Sequence, residues 1–102
     1  MGTHDVFVSY ATQDRTFAEA AVHALEDVGA RCWYAPRDVA PGATWASDIV
    51  GAIDGARVMV LVMSCSASSS KHVFREVERA VHKGVVVVPV RAKTVCTHSY
   101  LN

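Results

Sequence analysis

The chain has 102 residues, and 51% of them are hydrophobic, which is enough for one compact domain with its own core. Ten basic and ten acidic residues cancel, so the composition favours neither nucleic acid nor an anionic membrane surface as a partner. The longest apolar runs, VMVLVM and VVVVPV, are too short to cross a bilayer.

Cysteine and histidine are the residues that would indicate disulfides or metal sites. The three cysteines form no CxxC pair, and the five histidines have no metal-ligand spacing. Neither pattern predicts a disulfide framework or a metal site. The N-terminus also lacks the basic and apolar regions of a secretory signal. We therefore expect a protein of the reducing cytoplasm without a bound metal.

Apolar and β-branched runs alternate along the chain with segments of helical periodicity. Strands are expected at residues 5–10, 31–35, 57–63 and 85–90. Helices are expected at residues 14–28, from residue 44 onward, and at residues 70–84. Their expected N-caps are Asp14, Thr44 and Ser70, and Gly29 and Gly84 should end the first and third helices.

This order of elements predicts a doubly wound α/β domain with a parallel, flavodoxin-like sheet of four strands and three helices. Ligands of such sheets bind beyond the carboxyl ends of the strands. The loops at residues 9–13, 34–42 and 64–70 should therefore form the site. Residues 92–102 have no clear periodicity, and we expect a poorly structured tail there.

Several common nucleotide sites are excluded because their motifs are absent. The chain has no GxxxxGK[ST] segment, so it contains no P-loop. It has no GxGxxG segment after the first strand, so an ordinary dinucleotide fold is also excluded. The serines after the third strand are not part of a GxSxG nucleophile elbow.

The third helix carries two glutamates with different positions on the helical wheel. Its expected apolar stripe consists of Val73, Val77, Ala80 and Val81. Glu76 lies about 85° from the centre of this stripe and Glu78 about 115° away on the other side. Glu76 thus borders the core and could reach the cleft above the sheet. An i,i+3 ion pair with Arg79 is the alternative, and the helix alone slightly favours it.

Five segments in this order resemble the motifs of a bacterial-type Toll/interleukin-1 receptor (TIR) domain: DVFVSYATQD, CWYAPRDVAPGATWASDIVGAI, RVMVLVMSCSASSS, HVFREVERAV and VVVVPVR. The resemblance covers residues 5–91, so residues 1–102 are identified as a single TIR domain with an unmatched tail. It implies that the last strand and helix of the family are missing. The exposed sheet edge would then favour self-association.

The family resemblance implies one of two functions. Many bacterial TIR domains cleave the bond between nicotinamide and ribose in NAD, whereas others are scaffolds that bind further TIR domains. For this chain the resemblance favours an NAD glycohydrolase or cyclase of bacterial defence signalling. It would act on NAD as its substrate and would need no cofactor. Its activity would require homotypic TIR–TIR association with copies of itself. The alternative is a non-catalytic TIR–TIR interaction module.

The resemblance also implies which residues would act. Glu76 begins the glutamate motif of the family helix and would be catalytic, while Glu78 falls outside that motif. A carboxylate at this position can stabilise an oxocarbenium-like ribose. The substrate-binding residues would be Tyr10, Ala11, Arg37, Asp38, Ser64, Ser66 and His72. Each of these also has an ordinary structural explanation, such as a turn, a cap or a strand end. Many family members have tryptophan where this chain has His72.

Overall fold

A computed structural model describes the backbone of residues 5–34 and 45–92 and the side chains of residues 5–34 and 49–92. The expectations for Thr44, for Arg37 and Asp38, and for the tail from residue 93 lie outside the described residues.

The strands and helices follow the predicted order. The strands are β1 (Val6–Ser9), β2 (Cys32–Trp33), β3 (Val58–Met63) and β4 (Val86–Arg91). The helices are α1 (Arg15–Asp27), α2 (Trp45–Gly55), α3 (Cys65–Ser68) and α4 (Lys71–His82). A turn of 3-10 helix at Thr12–Asp14 precedes α1. The single turn α3 lies in the segment that was expected to be a loop, so that expectation is wrong there.

The four strands form one parallel sheet in the order β2-β1-β3-β4. Val6 pairs with Cys32 on one side and with Val58 on the other, and Val58 pairs with Val86. This arrangement confirms the predicted doubly wound α/β fold. The strand order changes direction between β1 and β3, which is where sheets of this type bind their ligands.

Side chains of β1 alternate between the two faces of the sheet, as the period of a strand requires. Val6 and Val8 belong to the core cluster that also contains Ala18 and Val22 of α1. Phe7 points to the opposite face, where it belongs to a second cluster with residues of α2 and α4. There it stacks on Trp33, with 5.0 Å between the ring centroids. Trp33 is therefore a core residue on this face of the sheet.

The helix caps agree with the sequence at α4 and in part at α1. The Ser70 hydroxyl accepts a hydrogen bond from the backbone N–H of Val73 at 3.2 Å. Gly29 and Gly84 follow α1 and α4 with φ of 93° and 76°, the left-handed conformation that favours glycine at a helix end. Asp14 occupies the predicted N-cap position of α1, but its side chain makes no capping hydrogen bond. The 3-10 turn carries Asp14 into a buried position, where its carboxylate accepts a hydrogen bond from the Ser64 hydroxyl instead.

One flank of α4 is more exposed than the helical wheel predicts. Val73 and Ala80 are buried, but Val81 is 67% exposed, so its place in the apolar stripe is wrong. The physical reason is the position of α2, which packs on the opposite flank of α4 through Asp54 and Arg79. Phe74, which lies on the same flank as Val81, is 66% exposed.

Three further observations concern the cysteines, membrane-spanning helices and metal ligands of the described residues. Cys65 is disulfide-bonded, whereas Cys32 forms no disulfide and lies buried in the core. The cysteine pattern predicted no disulfide framework, and it does not reveal this bond, because sequence spacing does not show which cysteines the fold brings together. Within residues 5–34 and 45–92, no helix is long and apolar enough to cross a membrane. The same residues contain no group of three potential ligands close enough to hold a metal ion.

Candidate active site

Glu76 lies in the middle of α4 at the boundary between the core and solvent. Its side chain is half-buried, while that of Glu78, two residues further along, is exposed. The alternative ion pair with Arg79 is not formed. Arg79 instead binds Asp54 of α2 with both arms of its guanidinium group, at 3.0 and 2.9 Å. This bidentate contact joins α2 to α4 and leaves the Glu76 carboxylate to other partners.

The partner of Glu76 is Ser9, the last residue of β1. The Ser9 hydroxyl donates a hydrogen bond to Oε1 of Glu76 at 2.7 Å. Ser9 has no exposed surface. Its side chain points to the same face as Phe7, toward α2 and α4, because alternate residues of a strand share a face. The contact therefore fixes the carboxylate at the carboxyl end of β1, where the predicted site lies.

The surroundings of Glu76 change its acidity. Burial raises the pKa of its carboxyl from the ordinary 4.5 to about 7, and the hydrogen bond from Ser9 opposes that rise. Burial disfavours the charged form, while a donated hydrogen bond favours it. Near neutral pH the site therefore contains both the acid and the carboxylate in comparable amounts.

The raised pKa makes stability depend on pH, and Glu76→Gln tests that dependence. The unfolded chain loses this proton near pH 4.5, but the folded protein keeps it up to about pH 7. The free energy of unfolding should therefore fall as pH rises through this window. Because glutamine stays neutral, we expect Glu76→Gln to be more stable than the wild type at pH 8, by at most about 3 kcal/mol. Urea titrations at pH 4 and pH 8 measure the difference. An equal difference at both pH values would contradict the raised pKa.

Glu76 opens into a cavity of about 190 Å³ between α2 and α4. The α2 side of the cavity is apolar and consists of Ile49, Val50 and Ile53. The α4 side is polar and consists of His72, Arg75, Glu76 and Arg79. A flat, partly apolar ring could thus pack on α2 while a carboxylate faces it from α4.

A second cavity of about 480 Å³ lies at the amino end of α4. Its described lining is rich in hydroxyl groups and contains Thr12, Gln13, Cys65, Ser66, Ser69, Ser70, Lys71 and His72. His72 lines both cavities, so they adjoin each other at this side chain. The loop after β1, the loop after β3 and the start of α4 therefore meet at one edge of the sheet, as the sequence predicted.

The described residues that were expected to bind substrate fall into two groups. Some line a cavity, and the others contact residues inside the fold. Ser66 and His72 line a cavity, as does Glu76. Ala11 is buried beside Ala67 and Val73. Ser64 donates to Asp14 and accepts from the backbone N–H of Ala67 at 3.0 Å.

The last of these residues, Tyr10, packs against the opposite face of the sheet from Glu76. Its ring lies 5.9 Å from that of Tyr34, and burial raises the pKa of its phenol to about 12. Tyr10, Ala11 and Ser64 are absent from the described lining of both cavities. Substrate contact by any of these residues stays a prediction.

Among the site residues that had no role assigned from the sequence, Ser9 and Arg75 are important because of their position beside Glu76. Ser9 was expected at the end of the first strand and the start of the following loop, and the alternation of VFVS puts it on the face of the sheet that α4 covers. Arg75 precedes Glu76 and lines the same cavity. No pattern in the sequence distinguishes Arg75 from an ordinary surface arginine.

Comparison with known proteins shows which family this chain belongs to. Residues 6–101 match the family model described as TIR domain. A 62-residue segment is 34% identical to the NAD(+) hydrolase PdTIR of Paracoccus denitrificans. That alignment covers 60% of this chain but only 21% of the relative, so the chain spans about a fifth of the relative it matches.

Solved structures resemble the whole described fold. The TIR domain of the Toll-related receptor TRR-2 from Hydra magnipapillata has a TM-score of 0.81 and 25% identity, covering 97% of this chain and 78% of that one. A metazoan TIR-STING receptor from C. gigas has a TM-score of 0.78 and 28% identity, over 93% and 33%. The TIR domains of the activated Roq1 resistosome have a TM-score of 0.77 and 26% identity, over 91% and 60%. With a family match over nearly all of its length, the chain belongs to the TIR-domain family.

Proposed function

We propose that this TIR domain cleaves the bond between nicotinamide and ribose in NAD, with Glu76 as the catalytic carboxylate. The observation that carries the proposal is the position of Glu76, which is half-buried, bound to Ser9 at the carboxyl end of β1 and open to a cavity between α2 and α4. The name of the Paracoccus denitrificans relative, an NAD(+) hydrolase, supports NAD as the substrate.

The proposed reaction needs one carboxylate and no acid. When the bond between C1′ of the ribose and N1 of nicotinamide breaks, its electron pair goes to the positively charged ring, which leaves as neutral nicotinamide. The ribose becomes an oxocarbenium-like cation, and the negative charge of Glu76 stabilises it. Water then adds to C1′ and loses a proton, which gives ADP-ribose. If the adenine ring of the same molecule attacks C1′ instead, the product is cyclic.

The two cavities suggest how the substrate would lie. The nicotinamide ring would pack on the apolar side chains of α2, with its ribose facing Glu76. The rest of the molecule would extend past His72 into the hydroxyl-lined cavity, where Ser66 lies. Tyr10, Ala11, Ser64, Arg37 and Asp38 complete the proposed binding residues. NAD is the substrate in this scheme, which requires no further cofactor.

The experiment that tests the proposed function is incubation of concentrated protein with NAD, followed by chromatography. We expect free nicotinamide to accumulate together with an equal amount of ADP-ribose or of a cyclic product. An intact NAD peak after prolonged incubation, at a protein concentration where the chain associates, would contradict the proposal.

A second candidate function is a TIR–TIR interaction module without turnover. Phe74 and Val81 expose apolar side chains on α4, and Val86 and Val88 do so on β4. β4 is also one of the two outermost strands of the described sheet. Exposed apolar side chains and strand edges favour association. Sedimentation that shows assembly, combined with no nicotinamide release, would favour this function over catalysis.

Association and catalysis are linked in the proposal, which gives a prediction about protein concentration. We expect nicotinamide release per mole of protein to rise with concentration, because the cavity between α2 and α4 is open and a neighbouring copy can enclose it. Initial rates measured from low to high micromolar protein test this. Strict proportionality between rate and concentration over the whole range would show that one copy is sufficient.

A further inference from the structure

We propose that Ser9 is a positioning residue for this reaction, and that its hydroxyl fixes the Glu76 carboxylate at the cavity wall and favours the ionised form. This inference rests on the proposed function of Glu76. The two residues are 67 positions apart in sequence, so the hydrogen bond between them exists only in the folded domain.

The geometry around Ser9 restricts where its hydroxyl can point. Ser9 ends β1, pairs with Leu61 of β3 and has no exposed surface. Its side chain therefore lies between the sheet and α4, where Oε1 of Glu76 accepts its proton at 2.7 Å. A fully buried hydroxyl on an interior strand has few alternative rotamers and no access to water. It is thus a rigid anchor, unlike a serine in a surface loop.

The hydrogen bond from Ser9 reaches one of the two carboxylate oxygens of Glu76. Oε1 accepts the hydrogen bond from Ser9, while no described residue donates a hydrogen bond to Oε2. One oxygen is thus anchored to the sheet, and the other stays available to the cavity. Such an arrangement holds a reacting group in place without using the oxygen that would face the ribose.

The other charged and titratable groups near Glu76 do not replace Ser9. Directly after β1, the Tyr10 phenol lies on the opposite face of the sheet and stays neutral, because burial raises its pKa to about 12. From α2, Asp54 faces α4, but it is paired with Arg79. On α4 itself, His72 and Arg75 line the same cavity. Among the described residues, Ser9 is the group that donates directly to the Glu76 carboxylate.

The alternative explanation is that Ser9 only fills space under α4. The two explanations predict different pH behaviour. A space-filling role would make Ser9→Ala less active by the same factor at every pH. A donor to the carboxylate would instead shift the ionisation of Glu76, because losing the hydrogen bond disfavours the charged form.

The test compares Ser9→Ala with Ser9→Thr, which keeps the hydroxyl. We expect Ser9→Ala to move the acid limb of kcat/KM for nicotinamide release upward by about one pH unit, which lowers activity about fivefold at pH 7 and much less at pH 9. Ser9→Thr should keep the limb near its wild-type position. A loss for Ser9→Ala that is the same at every pH would overturn the proposal.

A second measurement separates this inference from the proposed function. Carboxyl ¹³C NMR of glutamate-labelled protein reports the titration of Glu76 directly, and Glu76→Gln assigns its signal. The Glu76 signal should titrate at higher pH in Ser9→Ala than in the wild type, whether or not the protein cleaves NAD. An unchanged titration would overturn the role of Ser9 even if nicotinamide is released. If Ser9→Ala is poorly folded, Ser9→Cys, which has a similar shape and a weaker donor, provides the same comparison.

Discussion

Glu76→Gln is expected to lower kcat/KM for nicotinamide release at least about 10²- to 10³-fold. Glutamine has nearly the same shape, and its amide oxygen can still accept the hydrogen bond from Ser9. The substitution therefore removes the negative charge that would face the developing ribose cation and changes little else. The loss should appear in kcat as well as in kcat/KM, because the interaction is strongest in the transition state.

Glu78→Gln is the matched control for this substitution. Glu78 lies on the same helix, two residues away, and the substitution removes the same charge, but its side chain is exposed to solvent. We expect Glu78→Gln to retain most of the wild-type activity. Similar losses in both variants would show that the net charge of α4, and not the carboxylate in the cavity, is what the reaction requires.

The sequence was sufficient for the fold because each strand carries a clear local signal. The apolar run of β3 and its regular alternation with helices left few topologies open, and the parallel order followed from the crossovers. The ends of the strands were harder to predict from the sequence. β2 was expected at residues 31–35, but only Cys32 and Trp33 pair with β1 in the described sheet. Strand length depends on the neighbouring strand, which local sequence does not specify.

The site was predicted in part. The helical wheel correctly placed Glu76 beside the core and Glu78 on the surface. It could not choose between the cleft and an ion pair with Arg79, because that choice depends on Asp54, which the packing of α2 brings to α4. The hydrogen bond from Ser9 depends in the same way on how α4 crosses the sheet. Local periodicity gives the direction of a side chain but not its partner in another element.

The pH dependence of catalysis is the second large effect that we expect. The ionised form of Glu76 is the form that stabilises a cation, and its pKa is raised to about 7 by burial. Below pH 6 the ionised fraction should fall roughly tenfold for each pH unit, and activity should fall with it. Between pH 8 and pH 5 we therefore expect a decrease in kcat/KM of roughly 10²-fold. An ordinary surface glutamate would cause no such change in this range.

His72 is the control for this interpretation, because it lines the same cavity as Glu76. The decrease in kcat/KM at low pH should remain in His72→Asn, even if this substitution changes the value that kcat/KM reaches at high pH. Loss of this decrease in His72→Asn would assign it to the imidazole and not to the carboxylate.

The most direct test of Glu76 as the working carboxylate is the pH profile of nicotinamide release from pH 5 to pH 9, with Glu76→Gln measured beside the wild type at every pH. Glu76→Gln provides the background of spontaneous NAD decomposition. The proposed mechanism predicts a wild-type rate that rises through about pH 7 to a plateau, and a variant rate that stays at background. A wild-type profile that is flat across this range, or a variant that releases nicotinamide as fast as the wild type, would contradict it.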